Sequence, residues 1–170
     1  VSQIKSQDYG FLSQAPFAFI TLLASEDKLV GLDFTDADLS HLESSGHAVL
    51  QETKRQLLLY FQRKLKTFDL PLDLGGTDFQ MKAWQVLMKI PYGQITTYKE
   101  QAKSMKVQKG FRAVGSANGK NPIPIIIPCH RVCATPVKTG KNSPMVLLGG
   151  YSGGINIKKF LLQLEGSLKN

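Results

Sequence analysis

The chain has 170 residues and 18.8 kDa, of which 42% are hydrophobic and 20% charged. This suits one ordinary domain or two small ones and excludes a disordered chain. No apolar run approaches the ~18 residues of a membrane span, and the two cysteines, Cys129 and Cys133, make no disulfide framework, so a reducing compartment is expected.

The net charge of +8 is unevenly spread. Residues 1–79 hold 7 Lys/Arg against 11 Asp/Glu, a balance of −4, whereas residues 80–170 hold 14 against 2 (Glu100 and Glu165), a balance of +12. A half this basic points to a polyanion, either nucleic acid or an anionic membrane surface.

In chain order, Val1-Ser2-Gln3-Ile4-Lys5 begins no basic-then-apolar leader, and the missing initial Met is expected of an incomplete or processed N-terminus. Pro16 to Ser25 is apolar and β-prone, Ser25-Glu26-Asp27-Lys28 is turn-like, and Leu29 to Phe34 completes a predicted antiparallel hairpin. Val49, Thr53, Leu57, Tyr60, Phe61 and Leu65 recur at helical spacing, which predicts a helix over Val49 to Lys66. Residues 1–72 are therefore expected to form a small α+β scaffold, followed by a linker from Asp69 to Gly76.

Residues 77–170 read as a second, mostly helical domain. Thr77-Asp78-Phe79-Gln80 is a capping box, and the helix after it is expected to bury Phe79, Ala83, Val86, Leu87 and Ile90. Thr97-Tyr98-Lys99-Glu100 is a second capping box, opening a short helix to about Met105. A turn over Val107 to Gly110 and a third helical stretch, Phe111 to Asn118, complete a helix-turn-helix pattern, so the fold class is α+β with a winged-helix-like C-terminal domain.

Chemistry concentrates in Asn121 to Val132. Pro122, Pro124 and Pro128 predict a rigid, extended wall that delivers Cys129 beside His130 and Arg131. A neighbouring base or cation makes a thiol nucleophilic, but adjacent side chains of an extended segment point apart, so His130 is expected to act through a water or a tight turn.

PIIIPCHRV resembles the active-site signature of the O6-alkylguanine-DNA alkyltransferases. GTDFQMKAW, ITTYKEQA, RAVGSANGKNPIPI, and YSGG followed by KKFLLQLEG resemble further family segments in the same order, so the resemblance covers about residues 77–166. It implies a catalytic set of Cys129, His130, Glu165, Tyr98, Asn121 and Lys158. Cys129 is the alkyl acceptor, polarised by His130 through a water, with Glu165 orienting His130. Tyr98 donates to the departing guanine, Asn121 ties the hinge behind the recognition helix, and Lys158 sits near the leaving group. The resemblance further implies DNA contacts from Arg112, Ala113, Gly115, Thr97, Tyr98 and Arg131, with Arg112 entering the base stack. It implies a pocket of Pro124, Val132, Tyr151, Ser152, Gly153 and Asn118, with the Val132 carbonyl accepting from the guanine amino group.

The implied activity is DNA repair by one-time transfer of an alkyl group from O6 of guanine to Cys129, with O4 of thymine as a further candidate atom. The nucleotide is flipped out of the duplex for this. The expected partner is double-stranded DNA carrying O6-alkylguanine, with no membrane and no cofactor. A monomer is expected, in the nucleus if the cell is eukaryotic and otherwise in the cytoplasm. Lacking a Cys before Cys129, His41 and His47 predict no zinc, and Cys133 is expected to be a passive thiol. The long loop between Val132 and Tyr151, with Lys138 and Lys141, departs from the family. The alternatives are a lesion-binding or helix-turn-helix module without alkyl transfer, and a Cys–His hydrolase.

Overall fold

The computed structural model describes residues 2–5, 15–37, 46–134 and 148–168. The chain divides into two compact units, residues 1–75 and 76–170. Together they make the α+β class expected.

In the first unit, β1 (Ser2–Lys5), β2 (Phe19–Ser25) and β3 (Lys28–Thr35) form an antiparallel sheet in the order β1-β2-β3. The predicted hairpin is β2 and β3, and β1 is a strand the sequence pattern did not reveal. Ile20 and Leu22 alternate inward on β2. On β3 the buried residues are Leu29 and Leu32, three apart. The register explains this: Leu23 pairs Gly31 and Ala24 pairs Leu29, so Val30 is an extra residue in a bulge.

Helix α1 (Ala48–Phe61) packs on this sheet through Val49, Leu50, Thr53, Leu57, Tyr60 and Phe61. Burial of each such large apolar side chain is worth about 1.5–3 kcal/mol. The helix stops before the predicted Lys66 because Arg63 takes φ +61°, and the Arg63 and Lys64 N–H groups close back on the Tyr60 and Leu59 carbonyls. The expected linker is partly structured. Gln56 brackets Asp69 with two hydrogen bonds (2.7 and 2.9 Å), and Leu72 bridges Leu29 in parallel.

The second unit is built on α2 (Asp78–Leu87), α3 (Tyr98–Ser104) and α4 (Phe111–Gly119), followed by a 3-10 turn (Cys129–Arg131) and α5 (Ile155–Leu164). Both predicted capping boxes are present in full, at Thr77/Gln80 and Thr97/Glu100. The buried face of α2 keeps Ala83 and Leu87 from the expected set and adds Trp84, while Val86 and Ile90 are half-buried and Phe79 is exposed. Trp84 accounts for the rotation: its indole N–H donates to the Ala117 carbonyl of α4 at 3.0 Å, and its ring lies where a Cβ on Gly76 would stand. Helices α3 and α4 pack on each other and on α2, as a helix-turn-helix requires. Strands β4 (Thr96–Thr97) and β5 (Val132–Cys133) pair in parallel, which joins the start of α3 to the end of the Cys129 segment.

Candidate active site and nucleic-acid face

The Asn121–Pro128 segment is a folded loop, not the extended wall expected. Ile125 sits at φ +74°, a genuine outlier for a β-branched residue, and Pro124 bridges Ile127 across a tight turn. The buried Ile123, Ile125, Ile126 and Ile127 hold this conformation in the core. Asn121 spans the loop. Its Nδ2 donates to the Ile127 carbonyl (2.7 Å) and to Cys129 Sγ (3.2 Å), and its Oδ1 accepts from Ile123 N–H (3.0 Å). The hinge residue therefore also touches the thiol directly.

The 3-10 turn brings His130 and Arg131 to one carboxylate, that of Glu165, while Cys129 lines a cavity. His130 is fully buried, with Nε2 2.8 Å from Glu165 Oε1. Arg131 grips the same carboxylate through Nε–Oε2 and Nη2–Oε1, both 2.9 Å, and donates Nη1 to the Ile90 carbonyl. The Gly93 N–H adds a donor to Glu165 Oε2 at 3.2 Å, from a φ of +77° that favours glycine. Burial opposes ionisation of Glu165, but the hydrogen bonds from His130 and Arg131 prevail and hold its pKa at about 2. An ionised carboxylate only accepts, so His130 carries its proton on Nε2 and leaves Nδ1 as the lone-pair nitrogen. Nδ1 is buried with no hydrogen-bond partner among the described residues. Burial lowers the His130 pKa, so the ring is neutral near pH 7.

Arg131 was expected at DNA, and its burial at 5% exposure with its guanidinium committed to Glu165 and Ile90 corrects that expectation. Thr97 is corrected in the same way. It is buried, and its hydroxyl serves the α3 cap, so it aims the helix rather than reaching outward.

Cys129 opens onto a cavity of about 340 Å³ lined by Tyr98, Gly115, Asn118, Gly119, Gly150, Tyr151 and Ser152. This is the size of a small-molecule site. Gly119 and Gly150 are lining positions that sequence reasoning missed, whereas Pro124, Val132 and Gly153 are not among the lining residues. The Val132 carbonyl instead accepts from Lys158 Nζ at 2.6 Å. Lys158, fully buried, also donates to the Leu148 and Gly150 carbonyls, so it fastens the start of the Tyr151 segment to β5. Tyr98 donates its hydroxyl to the Gly150 carbonyl at 3.2 Å. Burial raises the pKa of Tyr98 and Cys129 and lowers that of Lys158; for Cys129, the Asn121 hydrogen bond and the Lys158 charge pull the other way.

Asn118 is buried and exchanges two hydrogen bonds with Gln101 (3.0 and 2.7 Å), which also donates to the Ala83 carbonyl. Gln101 was missed too, its only sequence signal being an amide on the core side of α3. Arg112 and Ala113 are exposed at the start of α4, and a Cβ on Gly115 would lie 3.6 Å from the Tyr98 ring. Lys103, Lys106, Lys109 and Lys120 are exposed on the same two helices and their connections. Among the described residues no His, Cys, Asp and Glu group could hold a metal ion. His41, Lys138 and Lys141 lie outside the described residues.

Residues 78–167 match the family model of the 6-O-methylguanine DNA methyltransferase DNA-binding domain, and residues 9–74 match that of the ribonuclease-like domain of the same proteins. The chain belongs to this methyltransferase family. The methylated-DNA–protein-cysteine methyltransferase of Methanosarcina barkeri is 42% identical over 162 residues, covering 92% of this chain and 96% of its own. The constitutive methylated-DNA–protein-cysteine methyltransferase of Bacillus subtilis is 37% identical over 166 residues, covering 93% and 95%. The family likeness extends to structure. The Mycobacterium tuberculosis OGT crystallised in complex with DNA superposes with a TM-score of 0.76 at 37% identity, over 98% of this chain and 92% of that one.

Proposed function

We propose that this methyltransferase repairs duplex DNA by moving the alkyl group of an O6-alkylguanine onto Cys129, once per molecule and without a cofactor. The observation that carries the reading is the cavity lined by the Asn121-bonded Cys129 thiol and the Tyr98 phenol, with a neutral His130, held by ionised Glu165, as the residue next to the thiol.

The Cys129 proton leaves through a water to His130 Nδ1, and the imidazolium is stabilised by Glu165. Burial otherwise keeps the thiol protonated, so this transfer is what generates the nucleophile. Cys129 Sγ then bonds the alkyl carbon as the carbon–O6 bond breaks and its electron pair stays on the guanine. Tyr98 gives its phenolic proton to the guanine anion, which becomes neutral guanine still attached to its strand, and the proton held by the His130 imidazolium replaces it through water. The Asn121 amide and the Lys158 charge favour the thiolate in the meantime. The thioether is not reversed, so the protein is spent.

O6 is inaccessible inside a duplex, so the nucleotide is extruded into the cavity, with Arg112 filling its place in the stack. Arg112, Ala113 and the flanking lysines make the exposed, cationic side of the helix-turn-helix suitable for DNA. The protein acts as a monomer in this scheme.

Incubation with duplex DNA bearing a radiolabelled O6-methylguanine tests the reading. Label is expected to move to protein, saturate at one per chain and be lost in Cys129→Ala. Multiple turnover, or label retained on DNA, would overturn it.

A further inference from the structure

Phe111, the first residue of α4, is 46% exposed. Isolated exposed apolar residues are ordinary, but this one has a specific address. Gly115, Asn118 and Gly119 of the same helix line the Cys129 cavity. Phe111 stands four, seven and eight residues before them, which is the spacing of a single helix face. It therefore occupies the N-terminal end of the cavity-bearing stripe, about one turn, ~6 Å along the axis, before Gly115. Arg112, three residues before Gly115 and seven before Gly119, borders the same stripe. Lys106 and Lys109, in the turn just before α4, and Lys120, at its far end, are exposed, so the helix that carries the ring is flanked by cations at both ends. An exposed aromatic ring on the helix face that lines the cavity, with lysines flanking the helix, matches a polyanion that offers flat π faces.

We propose that Phe111 is a second DNA wedge, stacking on a nucleobase beside the extruded nucleotide while Arg112 fills the gap left behind. The inference rests on the duplex-repair reading above and adds a residue that reads the opened base stack. The small residues that follow (Ala113, Gly115, Ser116) let α4 approach closely enough for the ring to reach the bases.

The test compares alkyl transfer from O6-methylguanine in duplex DNA with transfer from the free O6-methylguanine base. In Phe111→Ala the ratio of the duplex to the free-base rate is expected to fall about ten-fold, the scale of one lost base–aromatic stack. Phe111→Trp is expected to restore the ratio, and its new indole is expected to be quenched when unmodified duplex is added. An unchanged ratio in Phe111→Ala, an equal loss on both substrates, or an unquenched indole would overturn the wedge while leaving duplex repair intact. Failure of the unsubstituted protein to accept label from duplex DNA would instead overturn the repair reading itself.

Discussion

Arg131 and Glu165, 34 residues apart in sequence, meet through two hydrogen bonds of 2.9 Å with both side chains almost wholly removed from solvent. Glu165 uses the same two oxygens to hold His130 and the Gly93 N–H, so a single carboxylate joins the 3-10 turn, the loop after α2 and the end of α5. Removing one member of a buried pair strands the other. Arg131→Met is expected to destabilise the protein by about 3–5 kcal/mol and to slow alkyl transfer. A denaturant titration at neutral pH checks the first, and a rate measured well below the unfolding midpoint checks the second.

Acid sensitivity follows from the same cluster. Glu165 is lowered to about 2 in the folded state from an ordinary value of 4.5, so its stabilising contribution is complete above pH ~4.5 and lost as pH falls towards 2. His130 is lowered below 6.5, so the folded state also prefers it neutral, and protonation on acidification again favours unfolding. The contribution of these two groups to stability should therefore be constant above pH 6.5 and decline below it, with His130→Gln removing the upper part of the decline. Alkyl transfer should hold its rate down to pH 6.5 and lose it only as pH falls through the lowered folded pKa of His130. A rate profile falling already between pH 8 and 7 would contradict the assigned His130 state.

Lys158 is predicted to act as a fastener as well as a charge. Lys158→Met abandons the Val132, Leu148 and Gly150 carbonyls, and a loss of about 2 kcal/mol is expected. Lys158→Arg should not rescue, because a planar guanidinium does not fit a cradle built for a compact ammonium. Faster amide hydrogen exchange at Gly150 to Gly153 in both variants would report the released segment.

The Gln101–Asn118 pair ties α3 to α4 behind the cavity. Asn118→Leu leaves the Gln101 amide buried without its partner and should cost about 1–3 kcal/mol. Asn118→Leu with Gln101→Leu should recover most of that, a coupling measurable in a double-mutant cycle of melting curves. The double variant also gives the cavity an apolar wall.

Local signals were the legible ones. The capping boxes at Thr77 and Thr97 need only residues three apart, and both helices begin where those residues placed them. The further family-like segments likewise bring out Asn121, Tyr98 and Glu165, which the fold gathers around the thiol or behind it. Long-range partners were not legible. Arg131 beside His130 reads as an exposed cation, and only the arrival of α5 turns it inward onto Glu165. Three prolines suggested an extended strand, but the Ile125 conformation is imposed by packing and not by the prolines. On α2, periodicity alone could not decide between Phe79 and Trp84, because the deciding contact is the Ala117 carbonyl of another helix.

The most direct measurement is peptide mapping by mass spectrometry after reaction with duplex DNA containing O6-methylguanine. The account predicts one added methyl group, located on Cys129, with guanine restored in the DNA and Cys133 unmodified. A methyl group on Cys133, or an unmodified Cys129 alongside restored guanine, would contradict it.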